Sequence, residues 1–293
     1  VRFAAACDID ASAPQQIKRE KDSESFNFYT DIETMLENED LDMIDICLPT
    51  HEHVSAATDM LKRMYHVLLE KPMGFNIRQC AQLQQLAANT GKVFMVGQCL
   101  RFYQPYVYLK SLIETQKYGK VLSAYFERLS MTPQRTGDNW LLDVNKSGGC
   151  LFDVHIHDVD MVRFLFGEPS AVSSSALDVY SGYDAVSTRF VYPDMLVHAI
   201  ADWTMTPAFC FRPSFRISFQ NADVLFENYQ LIIYEKNNRI EPALDYTNGI
   251  THEIQYFIEL IQGKKNTVNP PRETVKTIAL LEAIKSSADE NGK

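Results

Sequence analysis

The 293 residues predict an α/β fold joined to an α+β fold. A parallel-sheet domain is expected over residues 1–98, and over 99–293 a domain built on a mainly antiparallel open sheet with flanking helices. Two patterns carry this reading. The first third alternates short apolar runs with amphipathic stretches of helical period, as when strands are wound in parallel with helices on the sheet faces. From Ala171 to Glu235 the apolar runs follow one another with only turn residues between, the mark of an antiparallel sheet.

In chain order, Arg2 to Cys7 reads as a strand ending in Asp8-Ile9-Asp10, and Ser12 to Lys21 as a polar helix with Pro14 in its first turn. Phe26 to Tyr29 is a strand, Asp31 caps a helix to about Glu39, and Met43 to Leu48 is an apolar strand closed by Pro49-Thr50. His53 to Met64 is a helix, His66 to Leu69 a strand, Ile77 to Thr90 a helix ended by Gly91, and Val93 to Gly97 a strand. Beyond Arg101 come a helix (Pro105 to Glu114), a strand (Val121 to Leu129) and a polar loop around Thr136-Gly137-Asp138-Asn139-Trp140. An apolar helix from Gly148 to Gly167 precedes strands at Ser187–Tyr192, Leu196–Met205, Phe215–Phe219, Val224–Phe226 and Leu231–Tyr234. Helices over Thr251–Gln262 and Arg272–Ala288 finish the chain.

Composition excludes several classes of function. A net charge of −10 without a basic stretch argues against nucleic acid or an anionic membrane as main partner. No apolar run approaches the ~18 residues of a membrane helix. The six cysteines are scattered with no Cys-x-x-Cys pair, and read as reduced core residues of a cytoplasmic protein.

The chemistry-bearing residues lie in two places. Glu70-Lys71-Pro72 closes the run Val67-Leu68-Leu69, so an ammonium stands at the carboxyl end of a buried strand, where open α/β sheets bind ligands. Desolvated, such a lysine exchanges protons near neutral pH; otherwise it is a surface salt bridge. In the Gly148–Gly167 segment, Asp153, His157 and Asp160 fall at i, i+4 and i+7 and share one helical face. A carboxylate one turn before an imidazole orients it and raises its pKa, as a general acid or base requires. A hydrogen-bonded core histidine is the plainer reading. A metal site on His155, His157 and Asp158 would need the segment to be a strand, which its length and apolar spacing disfavour.

Together these residues resemble the Gfo/Idh/MocA oxidoreductase family, the glucose-fructose oxidoreductase and inositol dehydrogenase group. The match runs through the strand ending in Asp8, Leu48-Pro49-Thr50-His51-Glu52-His53, Glu70-Lys71-Pro72, Gly97 to Phe102, Gly119-Lys120-Val121, Trp140, the Gly148–Gly167 helix and the helix from Glu253 to Gly263. The resemblance implies a Rossmann-type first domain and an NAD-dependent dehydrogenase acting on a sugar, polyol or inositol-like hydroxyl. It makes Lys71 and His157 the proton-handling pair and Asp153 the residue that binds substrate or orients His157. Asp8 becomes the ligand of the adenosine ribose, which favours NAD over NADP because a carboxylate repels a 2′-phosphate. Pro49, Thr50 and His53 flank the nicotinamide, Glu70 lies near its ribose, and Arg101 and Trp140 belong to the substrate wall.

Two departures accompany the match. His155 stands where many members have glycine, and the chain opens on what should be the second strand. The first strand, the Gly-x-Gly-x-x-Gly turn and the first helix, roughly 30 residues, are not in it. Weak or absent NAD binding by the chain as given is therefore expected. A catalytically silent, ligand-sensing member is the alternative function, and a metal-dependent hydrolase using His155 and His157 is a second. The open sheet face is expected to bury itself against another subunit, giving a homodimer or homotetramer.

Overall fold

The structure is a computed structural model and describes residues 1–13, 26–134, 139–290 and 292. It divides into two units, Val1–Ile44 and Asp45–Lys293. In the first, β1 (Ala5–Cys7) and β2 (Asn27–Tyr29) pair in parallel, Ala6 opposite Phe28. The helix Ile32–Asn38 follows, capped as expected by Asp31, whose Oδ1 accepts from Thr34 N at 2.8 Å. Most of the polar helix expected over Ser12–Lys21, from Pro14 on, lies outside the described residues.

β3 (Met43–Ile46), β4 (His66–Glu70) and β5 (Phe94–Gly97) form a three-stranded sheet in that order. The strands of the first third thus make two sheets, not the single parallel sheet expected from the sequence. Val67, Leu68 and Leu69 are all buried, which explains why β4 is a continuous apolar run and not an alternating one. The helix Ile77–Thr90 starts on Asn76, which accepts from Arg78 N and Gln79 N, and stops at Gly91 with φ +68°.

The second sheet has eight strands. β6 (Val121–Met131), β7 (Ala171–Leu177), β8 (Ala185–Val191), β9 (Leu196–Met205), β10 (Arg212–Phe219), β11 (Asp223–Glu227), β12 (Gln230–Glu235) and β13 (Asn238–Ile240) lie in the order β13-β12-β11-β10-β6-β9-β8-β7. Every pair is antiparallel except β6 with β9, which are parallel. One face is the core: Ala124 and Phe126, Val197, Ala199, Ala201 and Trp203, Phe215 and Ile217 are buried, with their alternate neighbours turned away. The other face carries Tyr125 stacked on His198, Arg216 over Tyr125, and exposed Leu196 and Ile200.

The Gly148–Gly167 segment departs from the expected single α-helix. A short helix, Val144–Ser147, ends at Gly148 (φ +76°), Gly149 has φ +66°, and Leu151–His155 is a π-helical turn that passes into the α-helix Ile156–Phe166. Hydrogen bonds reach i+5 in a π turn, so the i, i+4 alignment of Asp153 with His157 does not hold across it. An added Cβ on Gly148 would lie 2.7 Å from Phe152, so the entry to the turn leaves no space for a side chain.

Candidate functional site

Lys71 leaves the carboxyl end of β4, and its Nζ donates to Asp153 Oδ1 at 2.6 Å and to the Asp153 carbonyl at 2.7 Å. With side-chain exposures of 16% and 32%, both partners are sheltered yet reachable by a ligand. Glu70 accepts from Lys71 N at 3.0 Å and lies against Gly97, its register partner on β5, where a Cβ would stand 3.4 Å from Glu70 Oε2.

Three acids of one segment each take a different base. Asp153 holds Lys71; Asp158 binds buried Arg128, which donates from Nη2 at 2.8 Å; Asp160 binds buried Arg101, which donates from Nε and Nη2 at 2.8 Å each. Arg101 Nη1 also donates to Val268 O at 2.9 Å. The arginine expected at a substrate wall is thus committed to a buried, bidentate ion pair.

His157 is half-buried, and its Nδ1 is buried with no hydrogen-bond partner among the described residues. Its pKa is held well below the ordinary value, first by burial and then by the Lys71 and Arg128 charges. That reverses the upward shift expected from Asp153, whose carboxylate is taken up by Lys71. A neutral imidazole offers one donor and one acceptor, as hydroxyl recognition requires. His155 is buried, its Nε2 stands 2.8 Å from Thr188 Oγ1, and burial followed by the Arg128 charge pushes its pKa down to about 3. No group of three or more His, Cys, Asp or Glu side chains positioned to hold a metal ion occurs among the described residues.

After β3, Pro49 opens a 3₁₀ turn over Thr50–Glu52, accepting from Glu52 N at 2.9 Å, and His53 begins the helix His53–Lys62. Thr50 and His53 are buried. The His53 ring lies between two carbonyls, Nδ1 at 2.7 Å from Pro72 O and Nε2 at 2.7 Å from Leu48 O. Burial lowers its pKa; the two carbonyls and Glu70 act upward, and Lys71 downward. Asp8, in the first unit, is exposed at the end of β1 and accepts from Asp10 N at 2.8 Å. Trp140 is half-buried at the start of a 3₁₀ turn, and residues 135–138 before it lie outside the described residues.

One acid escaped the sequence reading. Glu253, in the helix Gly249–Ile261, is buried, and its Oε1 has no hydrogen-bond partner among the described residues. Burial first, then the Glu70, Asp45 and Asp160 charges, push its pKa up to about 9, so it is a neutral acid at pH 7. A signal was present: Glu253, Tyr256, Phe257 and Leu260 fall on one helical stripe, which places a carboxyl in line with the core.

Comparison with known proteins fits this arrangement. The family model for the oxidoreductase family with an NAD-binding Rossmann fold matches residues 1–98, and the GFO/IDH/MocA C-terminal domain matches residues 106–224. A 2,7-anhydro-N-acetylneuraminate hydratase of Mediterraneibacter gnavus is 29% identical over 54% of this chain, and the alignment spans 41% of that relative's length. An inositol 2-dehydrogenase of Rhizobium meliloti is 24% identical over 86% of this chain and 79% of the relative. A levoglucosan dehydrogenase in complex with NADH and levoglucosan superposes with a TM-score of 0.82 at 18% identity, covering 99% of this chain and 88% of that one, a likeness of fold.

The residues present fit part of a nicotinamide dinucleotide. Within Asp45–Lys293, the Glu70 carboxylate at the end of β4 can accept from a ribose hydroxyl; within Val1–Ile44, an exposed acid, Asp8, ends β1. The sequence holds no Gly-x-Gly-x-x-Gly turn to cradle the pyrophosphate.

Proposed function

Because the chain belongs to the GFO/IDH/MocA oxidoreductase family, whose first domain is NAD-binding, we propose that it is an NAD-dependent dehydrogenase of a sugar, polyol or inositol-like substrate. The observation that carries this is the Lys71 ammonium, 2.6 Å from Asp153 Oδ1 at the carboxyl end of β4, with a neutral His157 in the same segment as Asp153. When bound, NAD supplies the acceptor for a hydride leaving a carbinol carbon.

The chain's own residues handle the rest. Lys71 donates a hydrogen bond to the reacting oxygen and stabilises the charge that builds on it, while Asp153 fixes the ammonium from both its carboxylate and its carbonyl. The neutral His157 ring, half-buried in the same segment, accepts the proton that leaves the hydroxyl. Asp8 takes the adenosine ribose, Pro49, Thr50 and His53 shape the loop beside the nicotinamide, and Glu70 flanks its ribose. On the substrate side the reading keeps Trp140, since the Arg101 guanidinium is bound by Asp160 and Val268. A homodimer or homotetramer formed through the exposed face of the eight-stranded sheet completes the proposal.

Lys71→Ala tests the reading. On a cofactor-binding form of the protein, with a glycine-rich pyrophosphate turn ahead of Val1, and a panel of inositols, sugars, levoglucosan and 2,7-anhydro-N-acetylneuraminate, NAD reduction should fall by about 10²–10⁴ in kcat. Near-normal turnover by the variant would remove Lys71 from the mechanism, and binding of panel members without any turnover by the unsubstituted chain would favour a sensing role.

A further inference from the structure

His53 has two acceptors and, when neutral, one proton. Pro72 O and Leu48 O stand 2.7 Å from its two ring nitrogens, and a carbonyl oxygen cannot donate. In the neutral ring one of these contacts sets a nitrogen lone pair against an oxygen lone pair at hydrogen-bond distance. Only the imidazolium satisfies both. The two carbonyls belong to different pieces of the site: Leu48 precedes the Pro49–Glu52 turn, and Pro72 follows Lys71.

We propose that His53 is a proton-dependent clasp, a positioning residue that ties the loop after β3 to the Lys71–Pro72 turn with two hydrogen bonds when protonated and with one when neutral. Its bearing on catalysis rests on the dehydrogenase reading above; the clasp itself does not. The charges acting on the ring are Glu70 at the end of β4, which favours the cation, and Lys71 in the turn, which opposes it. His51 and Glu52 in the adjoining 3₁₀ turn are exposed and paired with each other at 3.6 Å. On the helix Ile77–Thr90, packed against the His53 helix, the buried titratable group is the Cys80 thiol, pushed up to about 12 by burial and therefore uncharged. Burial outweighs the upward influences on the imidazole, so the clasp closes on the acid side of the ordinary histidine value of about 6.5.

The test is a pH titration, from 8 to 5, of the ring-nitrogen resonances of the full chain labelled with ¹⁵N-histidine, with His53 assigned by its absence in His53→Gln. The expected result is one protonated ring nitrogen at pH 8 and two, both hydrogen-bonded, at the acid end. Over the same interval, amide exchange of the Leu48–Glu52 loop, corrected for its intrinsic pH dependence, should slow by about fivefold, the worth of one added hydrogen bond. Should His53→Gln fail to fold, neutron diffraction of the unsubstituted protein at pH 8 and pH 5 reads the same hydrons directly. A ring that stays neutral down to pH 5, or one that titrates while loop exchange is unchanged, overturns the clasp. Neither readout involves cofactor or turnover, so loss of the dehydrogenase reading and loss of the clasp are separate outcomes.

Discussion

A carboxyl group inside an apolar stripe is costly unless it stays protonated, and Glu253 does so. Below its unfolded value of about 4.3 both states hold the proton; between there and about 9 the folded chain keeps a proton that the unfolded chain releases. Stability drawn from this group is therefore full in acid and is lost as pH rises, by at most about 1.4 kcal/mol per pH unit. Urea denaturation at pH 6 and pH 8 should show Glu253→Gln gaining on the parent chain between the two; a pH-independent difference would mean that the acid is ionised. At Arg101 the expectation is opposite in kind. Arg101→Ala removes the bidentate partner of buried Asp160, leaving it the Thr277 hydroxyl as donor, and should cost about 3 kcal/mol in the same assay, whereas a substrate contact would raise KM and spare stability. Lys71, Asp153 and His157 could all be singled out in the sequence because the motifs are local. What His157 does with its ring was not legible: its pKa depends on burial and on Lys71 and Arg128, brought in from β4 and β6.

At the level of elements, helix ends were the most readable features, since Asp31 and Gly91 act on backbone groups within a turn of themselves. The π turn was not, because its residues suit an α-helix equally well and the turn is set by neighbours, among them the Tyr183 carbonyl that accepts from Cys150 N at 2.8 Å. Nor was the parallel β6–β9 pair: apolar alternation marks a strand but carries no sign for its direction. β7 and β13 went unnamed because Ser173-Ser174-Ser175 and Asn238-Arg239 dilute the apolar pattern. The helix Gly249–Ile261 gives a test of packing between elements. A Cβ at Gly249 would come 2.4 Å from the Cys99 carbonyl, a backbone atom that cannot swing aside. Gly249→Ala should therefore lower the unfolding free energy by about 1–3 kcal/mol, read by chemical denaturation; an unchanged midpoint would mean that this helix is free to move away from the turn Cys99–Phe102.

For the whole molecule, the exposed sheet face with Leu196, Ile200 and the Tyr125–His198 stack is the surface through which copies are proposed to associate. Light scattering at micromolar concentration should give a dimer or tetramer, and Ile200→Arg should shift it toward monomer. A monomeric parent chain would remove this part of the proposal. The order of that sheet also bears on how the protein is made. β6 lies between β9 and β10, and both follow it in the chain, the nearer beginning at Leu196 while β6 ends at Met131. On a ribosome adding about 5–20 residues per second, β6 waits several seconds without either neighbour. It is eleven residues long and bears Ala124 and Phe126 on the side that will be buried. For that interval the centre of the finished sheet is a nascent segment with both edges bare, the point at which a holdase chaperone, or another nascent chain, would find it.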